Sequence, residues 1–297
     1  MPLATPPNPA DPLSTGTVRY IPQDFKTPLY HQFNLGFERE LTNTMALSVF
    51  YVGTRGQDLL AQTSQGNVRT LASVAASWYD SLQISMRRSG ADFSFLAAYT
   101  FGHALNDSPG PYPAPNAPVV PTIQDDLGVD KGNADYDLRH KFTFAATYAL
   151  PFAKDNAFLG GWMVNGIVTL QTGNYFSVYA DNTRADLVDG QDPNSGPKTS
   201  DQWFNTAAFA RPSSPYDRSG RNIVEGPSLA TVDMSLFKTF KLMGRTALEL
   251  RVESFNLFNT PQYGIPNQFV GDANFGKVTQ TRQNSERQFQ FAARFTF

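Results

Sequence analysis

Along most of this chain apolar side chains recur at every second position, the period of a β-strand with two different faces. Nine stretches carry the pattern. Residues 28–40 place Leu29, His31, Phe33, Leu35 and Phe37 on one face and Gln32, Asn34, Gly36, Glu38 and Glu40 on the other. Residues 43–54 group Met45, Leu47, Val49 and Tyr51; residues 76–88 group Trp78, Leu82, Ile84 and Met86. Residues 91–102 group Phe93, Phe95, Ala97, Tyr99 and Phe101, and residues 139–150 set Phe142, Phe144, Ala146 and Tyr148 against Arg139, Lys141, Thr143 and Thr147. Residues 161–174 align Trp162, Val164, Val168 and Leu170, and residues 230–241 align Val232, Met234 and Leu236. Residues 245–257 set Leu248, Leu250 and Val252 against Glu249, Arg251 and Glu253. Residues 286–297 close the series with Phe289, Phe291, Ala293, Phe295 and Phe297. Each stretch has 12–14 residues, about twice the usual soluble strand. A tilted strand crosses a membrane in roughly 9–11 residues.

The connections alternate in length. Short turns are predicted at 41–42, 89–90, 151–160 and 242–244, and long loops at 55–75, 103–138, 175–229 and 258–285. An outer-membrane barrel alternates in this way, with short periplasmic turns and long extracellular loops. A soluble sandwich also has one polar face per sheet, so alternation alone leaves that fold open. Rings near the strand ends (Trp78, Tyr99, Phe101, Tyr148 and Trp162) favour the barrel, where amphipathic aromatics form interfacial girdles. Leu250 is expected to face lipid near the midplane, and Glu249, Arg251 and Glu253 to face the lumen. The fold expected is therefore all-β: an antiparallel, up-and-down transmembrane barrel segment of about nine strands. Residues 1–27 are expected to be a Pro-rich extended or loop segment, and 28–297 the barrel portion.

Composition removes several alternatives. The 297 residues carry 24 Lys plus Arg and 26 Asp plus Glu, a net charge of -2. No basic excess marks a nucleic-acid partner. There is no cysteine, so disulfides, thiolate metal sites and cysteine nucleophiles are excluded. The three histidines, His31, His103 and His140, are far apart in sequence. No run approaches the ~18 apolar residues of a membrane helix. The sequence shows no nucleophile elbow, phosphate loop or HExxH signature, so no enzyme activity and no cofactor are expected.

Two groups of loop acids, Asp125, Asp126, Asp130, Asp135 and Asp137, and Asp186, Asp189 and Asp192, lack the spacing and closing Glu of an EF-hand. They read as solvated loop charge. Trp203, Phe204, Phe209 and Tyr216 in the longest loop form a candidate ligand loop, through ring stacking on a carbohydrate or peptide; the alternative is that they pin the loop to the barrel rim. Glu249, Arg251 and Glu253 could contact a plug or line a path, or simply pair across a solvated face.

Seven segments carry a resemblance. VDMSLFKTFKL (232–242), LELRVESFNLFNTPQYGIPN (248–267) and FGKVTQTRQNSERQFQFAARFTF (275–297) resemble the C-terminal end of Oar-like TonB-dependent outer-membrane receptors. YDSLQISMRR (79–88), AAYTFGHALND (97–107), DLRHKFTFAATYALPF (137–152) and WFNTAAFA (203–210) match the same family in order. The resemblance implies a 22-stranded barrel with an N-terminal plug, of which this chain holds about nine strands and no plug. It implies as partners outer-membrane lipid, the missing N-terminal barrel and plug, the TonB system acting through the plug, and the barrel assembly machinery. It also implies that Phe289, Phe291, Phe295 and Phe297 form the assembly signal. The odd strand count points to a piece of a longer gene, since single-chain bacterial barrels have even numbers. The rival reading is a secreted or surface all-β adhesin or carbohydrate-binding module.

Overall fold

The computed structural model describes residues 18–20, 22, 25–65, 68–108, 127–153, 156, 158–181, 183–213, 218–242 and 244–297. Asp125, Asp126 and Tyr216 lie outside them. Nine long strands form one antiparallel meander: β1 (Leu29–Thr42), β2 (Met45–Gln65), β3 (Val68–Arg88), β4 (Phe93–Asn106), β5 (His140–Ala149), β6 (Trp162–Gln171), β7 (Leu229–Lys241), β8 (Ala247–Phe255) and β9 (Gln288–Thr296). Each pairs with its sequence neighbours in strict order, so the connections fall alternately at two ends. Two short segments join this sheet: Val18–Tyr20 runs parallel to Val68–Thr70, and Gly132–Asn133 pairs with Leu105–Asn106. β1 and β9 do not pair with each other, and the sheet is open.

Register turns the period-two pattern into a surface. Residues opposite each other in adjacent strands share a face. One such row runs Phe37, Val49, Ile84, Tyr99, Phe142, Leu170. Another runs Val164, Leu236, Val252, Phe291. The apolar face is thus continuous from β1 to β9. It stays uncovered: Leu35 is 78% and Phe291 77% exposed. Among the described residues no second sheet packs on it, so the sandwich reading fails.

Three boundaries differ from the sequence pattern, among them β4, which runs on to Asn106 where a loop is expected from 103. The first turn is Asn43-Thr44, not 41–42; the amide of Thr44 bonds the Thr42 hydroxyl at 3.3 Å, a local turn device. The segment 55–75 is not a loop. β2 and β3 run on as a ladder of 21 residues each, where Val and Thr suit a strand and cross-strand pairing continues from Leu59–Ala75 to Gln65–Val68. Register shifts around Leu59 turn the strand faces, and Ala61 and Ala75 become buried.

The compact apolar core lies outside the sheet. Phe176, Val178, Ala180, Ala185, Phe204, Ala208, Phe209 and Val224 are buried together, with Trp203, Ile223, Val270 and Phe275 packed around them. The connections 172–228 and 256–287 therefore build a folded module at the loop end of the sheet. Short pairings hold it: Val224–Glu225 with Tyr175–Phe176, and Asp186–Leu187 with Phe209–Ala210.

An uncovered apolar face and two open edges are incompatible with a dispersed chain in water. The isolated chain is expected to stay in solution only with detergent. A monodisperse, detergent-free monomer by light scattering would contradict this.

Candidate functional site

Arg221, together with Asn222 and Arg184, ties the loop module to the sheet. Arg221 is 8% exposed. Its Nε donates to the Asp130 carbonyl at 2.9 Å, and its Nη2 donates to the Asn106 carbonyl at 2.6 Å and to the Asn106 side chain. Burial pulls its pKa below the ordinary guanidinium value, opposed by Asp135 and Asp130. Asn222, next along, donates to the Asn133 carbonyl at 2.7 Å and to Asp135 at 2.5 Å, and its amide bonds Ser177 Oγ at 2.9 Å. Arg184 pairs with Asp130 at 2.6 Å. Multiple hydrogen bonds to a buried cation fix the module's position on β4. Arginine allows this where lysine would not, since one planar fork reaches several carbonyls.

The candidate loop rings divide. Phe204 is fully buried and Phe209 6% exposed. The Phe204 ring meets Phe176, Phe209 and Phe275 edge-on at 5.7, 5.8 and 5.4 Å. With no free face, neither ring can stack on a ligand, and that expectation is corrected to packing. Trp203 is half-buried, with its indole N–H on the Glu225 carbonyl at 2.9 Å. Gly196 explains how the chain closes over Phe204: a Cβ there would come within 2.4 Å of the Phe204 backbone. Of the loop acids, Asp130, Asp135, Asp137, Asp186 and Asp192 have protein partners. Asp137 takes the Ala104 amide at 2.6 Å and Arg139 at 3.3 Å. Asp186 accepts from the Ser213 amide at 2.7 Å, and Asp192 from that of Asn194 at 2.9 Å.

Glu249, Arg251 and Glu253 stand on the face opposite the apolar rows. Arg251 bridges both carboxylates, at 3.0 and 3.5 Å, and its guanidinium lies 4.6 Å from the Phe237 ring centroid. The ladder is a short run of ion pairs along one strand, already internally paired. Phe289, Phe291 and Phe295 on β9, and Phe297 directly after it, are all exposed.

The sequence pattern did not single out a cavity of about 570 Å³ at the loop end, between the long β2–β3 ladder and the rim. Tyr30, Thr54, Tyr79, Asn106 and Tyr136 line it. Tyr30 and Tyr136 are exposed. The available signal was tyrosine at polar-face positions: Tyr30 shares its face with Gln32 and Asn34, and Tyr79 with Ser81 and Gln83. Such a hollow offers ring faces and hydroxyls to a small polar solute.

A family model described as outer membrane beta barrel domain matches residues 1–290. No curated protein matches the sequence. Among solved structures, the fold is similar to the outer membrane transporter YddB from Escherichia coli, with TM-score 0.57 and 10% identity over 93% of this chain and 34% of that one. It is similar to BauA, the ferric preacinetobactin receptor from Acinetobacter baumannii, with TM-score 0.50 and 11% identity over 90% and 29%. The pyoverdine outer membrane receptor FpvA from Pseudomonas aeruginosa PAO1 gives TM-score 0.50 and 12% identity over 92% and 30%. At these identities the likeness is one of fold, and the chain spans about a third of the length of these structures. With its membrane-facing apolar surface, the chain belongs to the outer membrane β-barrel domain family and resides in the outer membrane of a Gram-negative bacterium.

Proposed function

We propose that the chain supplies the C-terminal nine strands of an Oar-like TonB-dependent receptor that takes up a scarce solute without altering it chemically. The observation that carries this reading is an open nine-strand meander, apolar on one face from edge to edge, whose loop end holds a folded module and an aromatic-walled cavity. The free edges of β1 and β9 then pair with the strands that complete a larger barrel. The Glu249–Arg251–Glu253 ladder faces the lumen and a plug, and the TonB system acts through that plug. Phe289, Phe291, Phe295 and Phe297 present the assembly signal to the barrel assembly machinery. The solved relatives named as receptors and transporters support uptake rather than adhesion.

The test compares solute uptake in cells with and without the gene, with the inner-membrane TonB motor active or inactivated. Uptake that requires both gene and motor is expected. Gene-dependent uptake that persists without the motor would overturn the reading. Within the same assay, Tyr136→Ala combined with Tyr30→Ala is expected to weaken uptake about tenfold, from two lost ring contacts of roughly 0.5–1.5 kcal/mol each. The cavity has no part in capture if uptake by the double variant is unchanged.

A further inference from the structure

Toward the loop end, the polar face of β1–β4 loses its charge and gains rings. Register sets four rows of four positions on it, one position from each strand. The uppermost row is Tyr30, Gly56, Ser77 and Asn106; the lowest is Gly36, Phe50, Gln83 and Thr100. No position in the four rows holds a charged side chain. Charge resumes only at the margins, with Glu38 one row further down β1 and Lys141 beyond Thr100 on β5. The cavity of about 570 Å³ opens on the uppermost row, and among the described residues no charged side chain lines it either.

Three rings on this wall lie across a neighbouring strand, each over a glycine. Tyr30 covers Gly56, where a Cβ would come within 2.9 Å of its ring; Tyr79 covers Gly102, where a Cβ would come within 3.3 Å of its ring. Phe50 covers Gly36, where a Cβ would collide with it outright. Glycine leaves the room for each ring to lie down, so a face and not an edge points to the lumen. Tyr30 is exposed, and Tyr79 and Phe50 are partly exposed. They stand in the first, second and fourth rows. Rows on one face are two residues apart, so the rings span about 20 Å along the strands. Between them Gln32 and Asn34, both exposed, supply amide donors and acceptors. Asn106 is already committed to Arg221, and Gln83 donates to Ser81 at 3.2 Å.

This chemistry selects a class of solute. A charged solute would shed water here and meet no counter-charge. A purely apolar one would leave the amides and hydroxyls unpaired. A sugar satisfies both requirements, because each pyranose has a C–H face that packs on a ring and a belt of hydroxyls that bond amides. Rings spread over several rows suit a chain of sugars better than a single one. We propose that the cavity and this wall form one binding path for an uncharged oligosaccharide, with its C–H faces on Tyr30, Tyr79 and Phe50 and its hydroxyls on Gln32 and Asn34, an assignment that rests on the uptake reading and names its solute class.

The full chain, folded in detergent, is offered neutral disaccharides and hexasaccharides of glucose, xylose, mannose and galactose, and the same hexasaccharides as uronic acids or sulfate esters. A neutral hexasaccharide is expected to bind about tenfold more tightly than its disaccharide and than its acidic counterpart. Phe50→Leu keeps an apolar side chain but removes the ring face, and should reduce the length advantage several-fold. Gln32→Lys should tighten binding of the acidic counterpart. Phe101→Leu, on the opposite face, should change neither. The assignment is overturned if no neutral sugar binds, if acidic forms bind equally or better, if the length advantage survives Phe50→Leu, or if Gln32→Lys leaves acidic affinity unmoved. Heat-modifiable gel mobility reports folding; should Phe50→Leu not fold, Gln32→Lys at the exposed edge strand carries the test. Binding needs no motor. Neutral-sugar binding without motor-dependent uptake would overturn the uptake reading alone, and motor-dependent uptake with a preference for acidic sugars would overturn the solute class alone.

Discussion

Phe204→Ala is expected to melt the extracellular module while the nine-strand sheet stays folded. Among the described residues Phe204 is the largest fully buried side chain, and three aromatic rings converge on it. Truncating a buried phenylalanine costs about 3–5 kcal/mol, including the cavity left behind. Phe176, Phe209 and Phe275 pack directly on this ring, so its loss unseats the aromatic cluster; Val178 and Val224 are much smaller. The sheet draws its stability from its own ladders and from lipid, so the loss should remain local. Limited proteolysis should therefore open new cuts within 183–213, while the strand content by circular dichroism is unchanged. Hydrogen exchange would show the same division. Unchanged protection of the module in the variant would refute the idea that these loops form a self-supporting core.

This division also marks what the sequence made legible. Period-two alternation located all nine strands, because each has one face in lipid and the signal does not depend on partners. Loop alternation likewise reveals the topology, since a meander must place successive connections at opposite ends. The β2–β3 ladder beyond Gly56 escaped because its alternation is interrupted where the register shifts, and because Ala, Ser and Thr there carry little hydrophobic contrast. The module escaped for a different reason. Its core draws Phe176, Phe204, Val224 and Phe275 from places up to a hundred residues apart, joined by strands of two residues. No local period records such contacts. The buried clasp of Arg221 is equally non-local, reaching back to Asn106 and Asp130.

Depth in the membrane was the other property that sequence misplaced, and it yields a graded mutational result. Leu250 reads as a mid-strand position near the bilayer midplane. In the structure it lies opposite Lys238, close to the turn end of the sheet. Lys238 shares the lipid face yet is 3% exposed: its ammonium donates to the Gly160 carbonyl and lies 5.7 Å from Trp162 and 4.8 Å from Phe240. A cation is thus already accommodated at this level, snorkelling toward the periplasmic interface beside an aromatic girdle. An arginine at 250 can follow the same route. Leu236 and Val252 face each other one row further from the turn, where that route is longer. Leu236→Arg is therefore expected to cost roughly 2–4 kcal/mol, the range for an arginine deep in the hydrocarbon. Leu250→Arg should cost less, and Glu249→Arg least, because Glu249 stands on the polar face. Membrane assembly, read as heat-modifiable protein in the outer-membrane fraction, should fall in the order Glu249→Arg, Leu250→Arg, Leu236→Arg. Because the chain has no cysteine, single cysteines can test the faces directly. Probes at 236 and 252 should be quenched by a lipid-soluble quencher, and probes at 249, 251 and 253 by a water-soluble one. Equal defects for the two leucine variants would refute the depth assignment. Shielding of 236 and 252 from both quenchers would mean that protein, not lipid, covers this face.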